Sequence, residues 1–225
     1  MTAGLEQANR RRATDAVGVA AFILSLRTSG IGDTEILRAM ELVPREIFAP
    51  RRFADLSRRD VALPLACGQT MTTPSTVAAM LVPLGIEKGH RVLEIGTGTG
   101  YVTALVARLG GQVRSLERFA TLAGAAVEHI RIAGLSEAVT VEVGDGLMVP
   151  DRSRYDRILV NGTAPAVPPV LVEHLEPGGR LIGAVLAEGG PRLVQIDRMP
   201  DGGTCETFGP SLRLSPLLNG RSAAL

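Results

Sequence analysis

RVLEIGTGTGY, residues 91–101, decides the fold. RVLEI is a short apolar run that breaks off at Gly96. From Tyr101 to about Leu109 the apolar residues recur at helical spacing, and Gly110-Gly111 closes the helix. Strand, glycine loop and helix in that order predict a βα unit. The alternation continues downstream. QVRSLE (112–117) reads as a strand, 119–133 as a helix stopped by Gly134, and VTVEVG (139–144) and DRILVN (156–161) as two more strands. Pro168 to Leu175 reads as a helix and Pro177-Gly178-Gly179 as a turn. RLIGAVL (180–186) and PRLVQIDR (191–198) are the last clear strands, and the tail 209–225 has no assignable pattern. Strands alternating with helices predict an α/β fold, a mostly parallel sheet with helices on both faces.

Upstream, residues 1–88 read as helical and irregular. TEILRAMEL (34–42) places Ile36, Leu37, Met40 and Leu42 on roughly one stripe, and Pro44 stops it. Thr73-Pro74 starts a helix that runs through Val77 to Leu81 and ends near Pro83. The expected organisation is an N-terminal substrate-side region (1–88) packed on a core (89–225), one compact unit. The apolar stretch 16–26 follows Arg10-Arg11-Arg12 and mimics a signal peptide. It is too short to span a bilayer, Asp15 interrupts its approach, and no small-x-small cleavage site follows. It reads as a buried helix face of a cytoplasmic chain with no membrane partner.

Composition excludes several classes. With 225 residues, 45% hydrophobic and 21% charged, the chain is neither disordered nor too small for a well-buried domain. A net charge of +1 supplies no field toward DNA or an anionic surface. Aromatics at 3% leave no stacking platform for single strands, so no nucleic-acid partner is expected. Cys67 and Cys205 make no disulfide framework, and no spacing suggests a metal. His90, His129 and His174 are scattered and read as surface or satisfied side chains.

The glycine loop carries the chemistry. Gly96, Gly98 and Gly100 are spaced GxGxG, with Thr97 between the first two. Loops of this kind bind a dinucleotide or S-adenosylmethionine. Glu94, two residues before Gly96, would repel a pyrophosphate and suit a ligand with an ammonium and a sulfonium. The second strand ends in Glu117, placed to accept both ribose hydroxyls. The third ends in Gly144-Asp145-Gly146, with a carboxylate for an adenine amino group. Three strand ends in register favour S-adenosylmethionine, with NAD as the competing reading. A carboxylate acceptor for the methyl group is already ionised at pH 7 and needs no general base. The absence of a Ser-His-Asp arrangement fits such an acceptor. Amino-group methylation often uses an Asp/Asn-Pro-Pro-aromatic loop, and here Asn161-Gly162-Thr163-Ala164-Pro165 stands instead.

Four stretches resemble the protein-L-isoaspartate O-methyltransferase family: ILRAMELVPREIFAP (36–50), ALPLACGQTMTTPSTVAAM (62–80), RVLEIGTGTGY (91–101) and YDRILVNGTAPAVPPVLVEHLEPGGRLI (155–182). The likeness covers roughly residues 20–200. It implies a Rossmann-like S-adenosylmethionine-dependent methyltransferase fold. It implies transfer to the free carboxylate of L-isoaspartyl residues in damaged proteins, followed by succinimide formation and repair. Thr72 falls where the family has an active-site serine, Gln69 and Thr70 would shape the same pocket, and Asp60 lies where the family has an acid near the entrance. Thr70, Tyr101 and Gly146 would complete the cofactor site. A monomer acting on flexible isoaspartyl segments is expected. Leu147, Met148 and Val149 depart from the family's Tyr and small residue, and Leu214-Ser215-Pro216-Leu217 stands for its closing strand. Two other readings stay open: methylation of RNA or a small molecule, for which Arg51-Arg52 and Arg58-Arg59 would serve phosphate, and a non-catalytic cofactor-binding paralogue.

Overall fold

A computed structural model describes residues 16–149, 152–218, 220 and 222. The arginines at 10–12 and Asp15 lie outside the described residues. Residues 16–28 are helical (α1) and bury Phe22 and Leu26, the apolar face read from the sequence. Helix α2 (Thr34–Leu42) starts at Asp33, whose carboxylate accepts the Ile36 N–H at 2.9 Å. It buries Ile36, Leu37, Ala39 and Met40. Leu42, expected on the same stripe, is exposed. Two residues past Met40 it has turned about 200° round the helix. A small antiparallel hairpin, β1 (Leu63–Pro64) with β2 (Thr70–Met71), precedes α3 (Pro74–Leu84). The Thr73 hydroxyl caps α3 by accepting the Thr76 N–H, and the helix carries Pro83 in its last turn before stopping at Gly85.

The main sheet is built from β3 (Arg91–Ile95), β4 (Gln112–Glu117), β5 (Val139–Val143), β6 (Tyr155–Ala164), β7 (Leu175–Ala187), β8 (Gly190–Arg198) and β9 (Thr204–Ser211). Helices α4 (Tyr101–Arg108), α5 (Ala120–Ile132) and α6 (Pro169–Glu173) connect the parallel strands β3 to β4, β4 to β5, and β6 to β7. The strand order is β5-β4-β3-β6-β7-β8-β9. The first five are parallel, and β8 and β9 add antiparallel. Two details differ from the sequence reading. The Pro177-Gly178-Gly179 turn is absorbed into β7 as a bulge, where pairing jumps from Tyr155↔Leu175 to Arg157↔Arg180. Strand β9 carries no apolar alternation because it is an exposed edge containing Gly209 and Pro210, so the sequence hides it.

Neighbouring residues on each central strand point to opposite faces. Val92, Leu159 and Ile182 pack with Phe22, Leu26, Leu37, Val77 and Leu105. Leu93, Ile158 and Leu181 pack on the other side with Leu171 of α6 and Leu175. The first cluster runs across residue 88, so the N-terminal helices share their core with the sheet. The chain runs outward from β3 through β4 to β5, then returns to place β6 on the other side of β3. A crevice at the carboxyl ends of β3 and β6 follows from that reversal.

Candidate active site

The crevice is bounded on one side by the glycine loop. The Gly96 N–H donates to Leu116 O at 2.8 Å, holding the loop against β4. Gly96 has φ +89°, and a Cβ there would stand 3.1 Å from the Asn161 carbonyl oxygen on β6. Only glycine meets both demands. The Glu117 carboxylate accepts the Gly98 N–H at 2.8 Å on one oxygen and the Phe119 N–H at 3.0 Å on the other. Two backbone donors therefore fix its orientation at the cavity wall. Asp145 is fixed in the same way: one oxygen accepts the Leu147 N–H at 3.0 Å and the other the Gly220 N–H at 2.7 Å.

Glu94 does not face the cavity. It is fully buried behind the loop, accepting from the Thr103 hydroxyl at 2.5 Å and the Ser115 hydroxyl at 2.7 Å. Burial pushes its pKa up to about 7 against the pull of those two hydrogen bonds. Thr97 sits beside it, its hydroxyl 2.6 Å from that of Ser115. The other Glu94 oxygen, Oε1, is buried without a hydrogen-bond partner, and Glu94 is not among the residues lining the cavity. It ties the loop to β4 and α4 from beneath.

A cavity of about 750 Å³, its open mouth included, brings together Gln69, Thr70, Thr72, Gly96, Gly98, Glu117, Asp145 and Gly146 from the expected set. A smaller recess beside it adds Thr97 and Tyr101, and shares Thr70, Thr72, Gly98 and Asn161 with the main space. Gly100 lies outside the walls, as the N-cap of α4 packed on Ala126. Asp60 also stands apart: it is exposed, and its carboxylate accepts the Ser75 N–H at 2.8 Å. Its place is at the N-terminus of α3, holding the turn that follows Thr72 rather than lining the cleft.

The opposite wall is the hairpin and the segment after it. Arg45, 2% exposed, donates to the carbonyls of Ser57 (3.0 Å), Arg59 (3.4 Å), Val61 (3.1 Å) and Thr72 (3.0 Å). One guanidinium thus fixes the backbone at Thr72, whose hydroxyl bonds to no described residue. Cys67, at the hairpin tip, has φ +57°, an uncommon conformation for a residue with a side chain. Of the four arginines at 51, 52, 58 and 59, Arg51, Arg52 and Arg59 are exposed. Arg58 pairs with Glu46 at 2.5 Å and Arg52 lies over the Phe53 ring.

Several wall residues escaped the sequence reading. Arg118 and Phe119 follow Glu117 directly, and Asn161 ends the strand as read from the sequence (156–161), though β6 continues to Ala164, so a strand-end rule would have found all three. Ser215 to Leu218 gave no local signal. This segment reaches the cavity by pairing with β6, the Thr163 N–H to Ser215 O at 2.9 Å and the Leu217 N–H to Thr163 O at 2.8 Å. Gly162 makes room for it, since a Cβ there would be 2.5 Å from Leu217 Cγ. Each histidine ring has a backbone partner, at Glu87 N, Thr99 O and Ser153 O, and none lines the cleft. Among the described residues there is no cluster suited to a metal and no helix long and apolar enough to cross a membrane.

A family model described as Protein-L-isoaspartate(D-aspartate) O-methyltransferase matches residues 18–221. The chain belongs to that family. Among protein-L-isoaspartate O-methyltransferases, one from Azorhizobium caulinodans is 45% identical over 210 residues, covering 92% of this chain and 95% of the relative. One from Xanthobacter autotrophicus is 42% identical over 210 residues, covering 91% and 94%. A solved protein-L-isoaspartate O-methyltransferase superposes with a TM-score of 0.79 at 28% identity, over 90% of this chain and 66% of the other. A Plasmodium falciparum structure described as a putative member, in complex with S-adenosyl-L-homocysteine, has a TM-score of 0.80 at 20% identity over 89% and 98%. The family's fold is therefore the Rossmann-like methyltransferase fold expected from residues 91–101.

Proposed function

We propose that this protein transfers a methyl group from S-adenosylmethionine to the free carboxylate of L-isoaspartyl residues in damaged proteins. One observation carries the reading. A single cavity joins the acid-framed glycine loop (Gly96, Glu117, Asp145) to the Gln69–Thr72 loop that the family uses on its acceptor. The donor set suits an adenosyl group. Glu117 and Asp145 each hold two backbone N–H groups and keep further lone pairs, matching ribose hydroxyls and an adenine amino group. Two carboxylates at that end disfavour a pyrophosphate. When bound, S-adenosylmethionine supplies a methyl group activated by a sulfonium.

The chain's own residues orient and exclude. Thr72 offers a hydroxyl donor to the acceptor carboxylate, and Arg45 sets where that hydroxyl stands by holding the Thr72 carbonyl. No side chain need remove a proton, because the acceptor is ionised at neutral pH. The apolar Leu65, Phe119 and Leu217 line the cavity, and a cleft that excludes water favours combining a cation with an anion. The neighbouring backbone amide nitrogen then attacks the ester carbonyl, loses its proton and expels methanol to close a succinimide, and water opens that ring to a mixture containing normal aspartate. The test is incubation with radiolabelled methyl donor and paired peptides, one normal and one isoaspartyl. Base-volatile label from the isoaspartyl peptide alone is the expected result. Equal labelling of both, or transfer only to RNA, would refute the reading.

A further inference from the structure

Buried charges in proteins are ordinarily paired with an opposite charge. Arg45 breaks that rule. It is 2% exposed, yet among the described residues no carboxylate forms an ion pair with it. Its donors go to four backbone carbonyls, and the Tyr101 ring centre lies 5.9 Å from its guanidinium carbon. Burial pulls its pKa below the ordinary arginine value, with Tyr101 and Asp60 opposing. An arginine stays a cation even so. Carbonyls orient around that charge but do not cancel it. Asp60, the acid that feels it, is exposed and engaged with the Ser75 N–H.

The charge stands behind the acceptor wall. Nη2 is 3.0 Å from the Thr72 carbonyl oxygen. Covalent geometry keeps the two oxygens of one threonine within about 5 Å of each other. A carboxylate that accepts from the Thr72 hydroxyl therefore lies within about 11 Å of the guanidinium, whatever its approach. Among the described residues, the recess that Thr72 shares with Thr70, Thr97 and Tyr101 has no charged side chain in its walls. In the main cavity two acids, Glu117 and Asp145, stand against one base, Arg118. The walls themselves thus oppose an anion, and the charge that favours one comes from behind them. We infer that Arg45 is a specificity-determining residue, whose unpaired charge selects a carboxylate acceptor over a neutral one at Thr72. The inference rests on the proposed transfer to an isoaspartyl carboxylate. It separates two tasks, the hydroxyl that orients the acceptor and the charge that chooses it. At this range, with the screening usual inside proteins, one unit charge is worth roughly tenfold in affinity.

Calorimetry on the full chain, saturated with S-adenosylhomocysteine, tests it with two peptides. One carries an L-isoaspartyl residue. In the other a primary amide replaces that residue's free carboxylate. The wild type is expected to prefer the carboxylate by about tenfold. Arg45→Lys keeps a charge and Arg45→Gln does not, while both lose the planar fork that holds the carbonyls. Arg45→Lys is therefore expected to retain most of the preference, and Arg45→Gln to reduce it to within about twofold of parity. Equal loss in both variants overturns the inference, since a loosened wall would then account for it. A preference intact in Arg45→Gln overturns it too. Should the variants not fold, the wild type decides. A buried charge keeps the preference in about 1 M salt, whereas collapse to parity assigns it to exposed charges and overturns the inference. A wild type that transfers methyl groups but binds both peptides alike overturns the inference alone. Absence of both transfer and binding sinks the proposed function as well.

Discussion

The two walls of the cleft are built by different means. The glycine-loop wall is held by main chain: strand register places Gly96 against Leu116, and Glu117 and Asp145 are each set by two backbone amides, one two residues on (Phe119, Leu147) and one farther away (Gly98, Gly220). The acceptor wall is held by side chains reaching far along the chain. Arg45 grips carbonyls from Ser57 to Thr72, and Asp60 reaches Ser75. A wall made by register fails only when the sheet fails. A wall made by one guanidinium can be loosened by one substitution.

The largest effect should come from that guanidinium. Arg45→Met leaves four buried or half-buried carbonyls without their donor and should cost about 3 kcal/mol or more, read as a shift in urea midpoint. A loss under about 1 kcal/mol would show that the acceptor wall has other support and would erase the contrast. Next, Thr72→Val removes the hydroxyl and should lower turnover on isoaspartyl peptide about 10- to 100-fold. Its affinity for S-adenosylhomocysteine should stay within about twofold of wild type, because the other wall is untouched. A matching loss of affinity would mean that the walls are not independent.

Glu94 sharpens the comparison through pH. Its folded carboxyl titrates near 7, raised by burial, while an unfolded glutamate titrates near about 4.3. The folded state thus binds the proton more tightly. Its contribution to stability is full below the unfolded value and declines as pH rises through 7. Glu94→Gln should flatten that decline, gaining on the order of 1–3 kcal/mol relative to wild type between pH 5 and 7.5. Melting curves across this window check it, and parallel wild-type and variant profiles would count against it. The smallest effect belongs to Asp60. Asp60→Ala should lower stability by about 1 kcal/mol through the lost cap at α3. Asp60→Asn, which keeps an acceptor, should leave turnover within about twofold; a drop beyond tenfold would return Asp60 to the chemistry.

The same contrast explains what the sequence disclosed. The first wall was legible because its signals are local: an apolar run, a glycine spacing, an acid at each strand end. Glu94 was misplaced because spacing tells how far an acid lies from a glycine but not which side of the loop it enters; the hydroxyls of Thr103 and Ser115 drew it inward. Asp60 was placed at the entrance by resemblance alone, and its helix-capping geometry depends on a residue fifteen positions away. Strand β9 was hidden by its exposed, unpatterned side chains. Ser215 to Leu218 could not be read as wall from neighbouring residues at all, since only the folded β6 gives them a partner.

That last segment has a consequence for how the protein is made. Every strand of the sheet leaves the ribosome before residues 215–220 do. The sheet can therefore form around a binding site still missing one side. Ligand retention should begin only after translation has delivered Leu217 to Thr163 and Gly220 to Asp145. A proteolytic clip near Arg213 would leave a folded body that releases its nucleoside.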